Sequence, residues 1–177
     1  MSESIVPEVP HSIDLEWVDL RNSDLEIVKA IYDHYILHST ATFHTEKISL
    51  AELREVIPIG HPKYQSFLIR LAGEVCGYCY ISQHKKRQAY DRAAEVTLYL
   101  KPECTSKGLG RRTLQHLEAI AFNNGIRVLI GVLTGDNTPS IRLFEKCGYE
   151  KCAHFKAVGE KFGKILDVVA YQKMLGN

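Results

Sequence analysis

The stretch Glu95-Val96-Thr97-Leu98-Tyr99-Leu100-Lys101-Pro102-Glu103-Cys104-Thr105-Ser106-Lys107-Gly108-Leu109-Gly110-Arg111-Arg112 holds the residue types best able to do chemistry. An alternating apolar run ends at Pro102, a polar loop follows, and a helical pattern begins at Gly108. Glycine lets backbone N–H groups approach a ligand with no Cβ in the way. A helix start adds N–H donors without intrahelical partners and the positive end of the peptide dipoles. With Lys107, Arg111 and Arg112, these make a cradle for a phosphate or pyrophosphate. Glu95, on the strand that leads into the cradle, can act as a general base or stand on the surface as the partner of a cation such as Arg92. Residue type alone leaves both readings open.

Other groups invite chemistry and decline it on spacing. Cys76-Gly77-Tyr78-Cys79 matches C-x-x-C, but it lies inside a strand pattern with no second ligand pair, so two structural thiols are expected. His34, His38 and His44 have no cysteine or carboxylate cluster beside them in sequence, and no metal site is expected. The basic run His84-Lys85-Lys86-Arg87 falls at a loop, either as a solvated turn or as part of a substrate mouth.

The elements that must position these groups follow from periodicity and end signals. Residues 1–10 read as a loose arm, and residues 11–177 as a single domain. His11 to Asp19 alternates Ile13, Leu15 and Trp17 as a first strand. Ser23-Asp24-Leu25-Glu26 reads as a capping box for a helix with Val28, Ile31, Tyr32 and Tyr35 inward, ending near His38. Ser49-Leu50-Ala51-Glu52 is a second capping box, for a short helix stopped near Pro58. Ser66–Leu71 and Glu74–Gln83 form a hairpin about Ala72-Gly73. Arg92–Leu100 is a strand with Ala94, Val96, Leu98 and Leu100 on one face.

Gly108–Asn124 is a helix with a Leu114, Leu117, Ala121 stripe and Gly125 as its stop. Val128–Leu133 is a buried strand, and Thr138-Pro139 opens a helix that Gly148 ends. Glu150–Val158 and Lys164–Lys173 close the chain as two strands. The expected fold class is α/β: a mixed, mostly antiparallel sheet with a central strand–helix–strand crossover, not a doubly wound parallel one.

Spacing discriminates among cradles. A nucleoside-triphosphate P-loop ends Gly-Lys-Ser/Thr, where this chain has Gly110-Arg111-Arg112. A dinucleotide fingerprint wants a small third residue where Thr113 stands, and it opens a βαβ unit that is absent from the start of this chain. The pyrophosphate loop of acyl-CoA transferases wants Gln/Arg-x-x-Gly-x-Gly/Ala between a strand and a long helix, which Gly108 and Gly110 fit.

The segment resembles the acetyl-CoA motif of the GNAT superfamily of N-acetyltransferases. Ile31-Tyr32-Asp33-His34 with His38–Phe43, Arg87–Glu95, Asp136–Tyr149 and Val158–Asp167 resemble successive segments of the phosphinothricin acetyltransferase family. The likeness spans roughly residues 11–175.

That resemblance implies a GNAT-like acyl-CoA N-acyltransferase fold and an enzyme that uses acetyl-CoA as cosubstrate. The acceptor would be a small amino-acid-like amine of the phosphinothricin or methionine sulfoximine kind, acetylated by direct attack in a ternary complex. Glu95 becomes the general base. Leu98, Tyr99 and Leu100 would hold the thioester arm, with the Leu100 N–H on the developing oxyanion. Thr105, Ser106, Lys107, Gly108, Leu109, Gly110 and Arg111 would take the pyrophosphate, with Asn137 and Lys146 as further coenzyme contacts. Arg87 and Tyr90 would bind an acid group of the acceptor, and Thr42 and Phe43 would close its pocket.

Two departures from the family pattern matter. Thr105 stands where Arg or Gln usually opens the loop, and Phe144 stands where many members carry a proton-donating tyrosine. Competing readings are a protein or peptide N-acetyltransferase, which wants an open groove, and a non-catalytic CoA-binding module.

Composition bounds the rest. With 177 residues the chain fits one domain with a full core, and its formal charge of +1 gives no reason to expect nucleic acid or an anionic membrane as partner. The odd number of cysteines, five, with no signal-peptide core, suits reduced thiols and a cytoplasmic protein. A homodimer is expected from the resemblance.

Overall fold

The computed structural model describes residues 14–176. The expected arm, residues 1–10, and the start of the first strand, residues 11–13, lie outside the described residues. The elements follow in the expected order: β1 (Leu15–Asp19), α1 (Leu25–His38), α2 (Leu50–Val56), β2 (Ser66–Leu71), β3 (Glu74–Gln83), β4 (Ala93–Leu100), α3 (Leu109–Asn123), β5 (Val128–Thr134), α4 (Thr138–Lys146), β6 (Glu150–Lys161) and β7 (Lys164–Met174). One seven-stranded sheet runs β1-β2-β3-β4-β5-β7-β6. Every neighbouring pair is antiparallel except β4 and β5, which are parallel and joined across the sheet by α3. A parallel pair needs such a crossover, because a tight turn cannot reverse the chain twice.

Local chemistry explains most boundaries. Ala72 and Gly73 both take positive φ (50° and 81°), the two-residue turn whose twist matches paired strands, and Phe162-Gly163 repeats it between β6 and β7. At α2 the Ser49 hydroxyl accepts from Glu52 N, and the Glu52 carboxylate accepts from Ser49 N, the reciprocal cap read from sequence. The start of α1 differs from expectation. Ser23 does not cap it; the Asp24 carboxylate turns back to accept Arg21 N at 2.9 Å and closes a single 3-10 turn, Asn22–Asp24, from which α1 continues. No side chain caps the first turn of α1 itself.

Both later helices end on glycine with paired closing bonds. Ile126 N reaches Ala121 O and Gly125 N reaches Phe122 O; Tyr149 N reaches Phe144 O and Gly148 N reaches Glu145 O.

The sheet carries a core on each face. On one, α3 lays Leu114, Leu117 and Ala121, each fully buried, against Ala94, Val96, Leu129 and Ile69. Phe144 of α4 fills the space over Gly131, where even a methyl group would lie 2.2 Å from its ring. Trp17 joins this layer, its ring stacked on His116 at 4.3 Å and its Nε1 donating to Thr113 Oγ1. On the other face, Val28, Ile31, Leu53 and Leu68 pack with Tyr78 and Tyr80 beneath α1 and α2.

The C-x-x-C cysteines are both buried and both free. A bulge in β3 leaves Cys76 between the pairs Ile69–Gly77 and Arg70–Val75, and its sulfur lies 2.6 Å from that of Cys104. Cys79 sits in the main core instead, where burial pushes its thiol far above the usual range.

Candidate active site

The parallel strands part company halfway along. β4 and β5 pair only through Ala93–Val128, Ala94–Leu129 and Glu95–Ile130. Yet β4 stays on β3 as far as Leu100–Gly77, and β5 stays on β7 as far as Thr134–Val168. From Val96 onward the two facing edges therefore open into a cleft. Lys101 N donates to Cys76 O at 2.7 Å, and antiparallel exchange alternates along a strand. Thr97 and Tyr99 thus spend their backbone groups on β3, while those of Val96, Leu98 and Leu100 face the cleft. The Leu100 carbonyl accepts the Tyr35 hydroxyl, which fixes that peptide at the mouth. Tyr99 turns its N–H to β3 and its side chain to the α1 face.

Alternation also assigns the cleft two sides. Ala94, Val96, Leu98 and Leu100 lie on the α3 face. Glu95, Thr97 and Tyr99 lie on the α1 face, over a cluster of five phenols: Tyr32, Tyr35, Tyr78, Tyr80 and Tyr99. Burial raises every one of these hydroxyls above its ordinary value, Tyr80 up to about 12, so all are neutral donors near pH 7.

On the α3 side stands the loop. Ser106 and Gly108 both have positive φ, 61° and 74°, so successive N–H groups curl about one concavity. A side chain at Gly108 would meet nothing within 4 Å; the glycine is there for its backbone and for access. As the residue before α3 it offers no capping side chain, and the first intrahelical bond is Arg112 N to Gly108 O, so the N–H groups of the first turn are left for a ligand. Lys107, Arg111 and Arg112 are exposed around it, and Ser106 is exposed too.

Gly110 has a second reason: a methyl there would lie 2.8 Å from Leu143 of α4. Leu109 turns inward, 2% exposed, against Cys76 and Cys104, and can offer only its backbone. The Thr105 hydroxyl donates to Pro102 O at 2.8 Å, so its proton belongs to the turn. Asn137 caps α4, its Oδ1 accepting from Ser140 N, which leaves the amide N–H₂ free. The contact of Gly110 with Leu143 brings the last turn of α4, and with it exposed Lys146, beside the start of α3.

On the α1 side, Glu95 is paired. His84 Nδ1 lies 2.8 Å from Glu95 Oε1. Arg87 and Tyr90 close a single 3-10 turn through Tyr90 N to Arg87 O, so their exposed side chains leave one short segment. Thr42 is buried, shares a 2.7 Å hydrogen bond with the Tyr32 hydroxyl and stands beside Tyr99. Phe43 is 42% exposed and packs on Gly159 of β6, where a methyl would come within 3.0 Å of it. Phe144 is buried in the α3-side core, edge-on to Tyr149, and carries no donor.

Several residues here were not singled out by sequence. Lys161, 2% exposed, donates to Thr42 O at 2.8 Å and pins the loop after α1 to the β6–β7 hairpin; burial lowers its ammonium pKa. Thr40 donates to both carboxylate oxygens of Asp136, joining that loop to the end of β5. Nothing local in sequence signals these contacts. His84 stood in sequence only as the start of a basic run; its pairing with Glu95 comes from the register of β3 on β4, where Ser82 faces Glu95 and His84 follows two residues on. Among the described residues no three His, Cys, Asp or Glu side chains converge as a metal site; His34 and His38 face each other along α1, while His44 bonds Tyr32. No helix among them is long and apolar enough to cross a membrane.

Known proteins share this arrangement. Residues 28–149 match the acetyltransferase (GNAT) family. The chain is 30% identical to phosphinothricin N-acetyltransferase of Alcaligenes faecalis, over 98% of this chain and 93% of the relative. It is 28% identical to L-methionine sulfoximine/L-methionine sulfone acetyltransferase of Pseudomonas aeruginosa, over 85% and 88%. A crystal structure of a GNAT superfamily phosphinothricin acetyltransferase from Sinorhizobium meliloti, in complex with acetyl-CoA, superposes with a TM-score of 0.85 at 32% identity, covering 92% of this chain and 89% of that one.

Proposed function

The chain belongs to the acetyltransferase (GNAT) family, and from that premise we propose that it moves acetyl from acetyl-CoA to the amine of a small amino-acid-like acceptor, of the phosphinothricin or methionine sulfoximine kind. The observation that carries the proposal is the parting of β4 and β5, with an anion cradle on the α3 face and Glu95, Arg87 and Tyr90 on the other. Two substrates can enter from opposite faces and meet only at the gap. That is the geometry of a direct transfer, in which orientation replaces a bimolecular encounter.

In this reading the pyrophosphate rests on the N–H groups of residues 106–111, with Lys107, Arg111 and Lys146 around it. Thr105 supplies backbone alone. The pantetheine arm adds to the free edge of β4 as a strand would, on Leu98 and Leu100, with the Asn137 amide opposite; Tyr99 supports it from below. Arg87 takes the acceptor's acid group as a planar fork, and Tyr90 adds a hydroxyl. Thr42 and Phe43 close the pocket over the acceptor.

Glu95 removes a proton from the ammonium, directly or through water. The amine then attacks the thioester carbon and a C–N bond forms; the tetrahedral centre collapses with cleavage of the C–S bond, and the second proton on nitrogen passes to solvent. The Leu100 N–H holds the oxyanion. The electron pair leaves on sulfur, a fair leaving group with a thiol pKa of about 8.5. Phe144 gives it no proton, and solvent supplies one after departure. The protein acts in the cytoplasm as a homodimer; the exposed apolar side chains Phe155, Val158, Phe162 and Ile165 on the β6–β7 hairpin favour a self-association that analytical ultracentrifugation will read.

The test is thiol release from acetyl-CoA with a panel of amines, phosphinothricin and methionine sulfoximine beside short peptides. The small acidic amines should drive release, and Glu95→Gln should lower kcat by about 10²–10⁴-fold. Release driven only by peptides, or by nothing, refutes the proposal.

A further inference from the structure

The carboxylate proposed as base has one ionisable partner at hydrogen-bond distance among the described residues, and it is not a cation that permanently neutralises it. His84 Nδ1 sits 2.8 Å from Glu95 Oε1, with the two side chains 22% and 35% exposed. The hairpin enforces this. Ser82 pairs with Glu95, so the next residue on that face of the chain, His84, leaves β3 directly beside it. The chain then turns into the segment that bears Arg87 and Tyr90, and the His84 ring meets the Tyr90 ring edge-on with centroids 6.0 Å apart. One imidazole thus touches both the carboxylate and the segment that faces the acceptor.

A glutamate carboxylate can rotate about three side-chain bonds and present either oxygen in several directions. A base must present one oxygen to one proton. An N–H donor on Oε1 removes that freedom and leaves Oε2 with its lone pairs for another partner. We infer that His84 is the positioning residue for Glu95: its Nδ1–H donates to Oε1, aims Oε2 at the acceptor amine, and ties that aim to Tyr90 on the acceptor-binding turn. The role rests on Glu95 being the base. His84 itself takes no part in bond making.

Three variants separate this from its alternatives, assayed with the acceptor that the panel above identifies. His84→Ala should lower kcat by up to about 10²-fold, the size of a misplaced reacting group, with the KM for acetyl-CoA and the melting temperature unchanged. His84→Asn, whose amide N–H₂ occupies nearly the place of Nδ1–H but cannot titrate, should recover most of the loss. In a Glu95→Gln background, His84→Ala should cost nothing more, because its effect passes through the carboxylate. An Asn variant as impaired as Ala, or an undiminished cost of His84→Ala in the Glu95→Gln background, overturns the positioning role and leaves Glu95 as base. Full activity in Glu95→Gln, or no turnover of any acceptor, removes the base and this role together.

Discussion

On the α3/α4 face the sheet buries Leu114, Leu117, Ala121, Leu129 and Phe144; on the α1/α2 face it buries Tyr78 and Tyr80 and half-buries Tyr32, Tyr35 and Tyr99. The first set is carbon, and its contribution is area removed from water, about 25 cal/mol per Å². The second brings a hydroxyl with every ring. The Tyr32 hydroxyl is met by Thr42 and His44, and that of Tyr35 by the Leu100 carbonyl. One face holds the sheet together. The other makes a desolvated but polar floor under the cleft, where a fixed donor counts for more than it would in water. Keeping the two duties on opposite faces lets each side of the cleft be built without compromise to the other.

That division can be broken by experiment. The largest effect expected is catalytic and confined to the α1 side: the loss of about 10²–10⁴-fold in kcat on Glu95→Gln should come without any change in melting temperature. Its counterpart is Leu117→Ala on the α3 side, fully buried in wild type, which should cost about 2–5 kcal/mol in urea unfolding yet leave kcat unchanged well below the transition. A drop in kcat there would mean that the faces are coupled. Thr42→Val keeps shape and deletes the hydroxyl shared with Tyr32; it should cost about 1–3 kcal/mol and raise the KM for the acceptor, not for acetyl-CoA.

The smallest effect is a pH dependence on the stable side. Burial lowers the His116 pKa from its ordinary 6.5, so the unfolded chain takes up a proton before the folded one does. Stability from this group is full above about 6.5 and falls as pH drops toward the lowered folded value. His116→Gln should flatten that part of a melting-temperature profile.

What could be read from sequence was what is local. The Ala72-Gly73 turn, the Ser49–Glu52 cap, the α3 stripe and its stop at Gly125 each depend on a few adjacent residues, and each is found where those residues put it. The start of α1 departs from its local pattern because the Asp24 carboxylate closes backward on Arg21 N and no side chain caps the helix. The strand, loop and helix that carry Glu95 and the glycine-rich turn were legible for the same reason as the turns: they are consecutive in the chain. The Lys161 anchor and the Thr40–Asp136 clasp span more than ninety residues of chain, and only the folded sheet brings them together. The same holds for the place of Gly110, where a side chain would meet Leu143 of α4.

The chain has a single tryptophan, and its place decides what light can report. Trp17 lies stacked on His116 and bonded to Thr113, in the layer beneath α3 and away from the acceptor side. Its emission is therefore a gauge of whether that layer is intact, quenched when the imidazole beneath it is charged, and silent about which amine is bound. Occupancy of the acceptor side has to be read from the phenols across the sheet, by ultraviolet difference absorption, so that unfolding and binding can be followed in one sample as two separate colours.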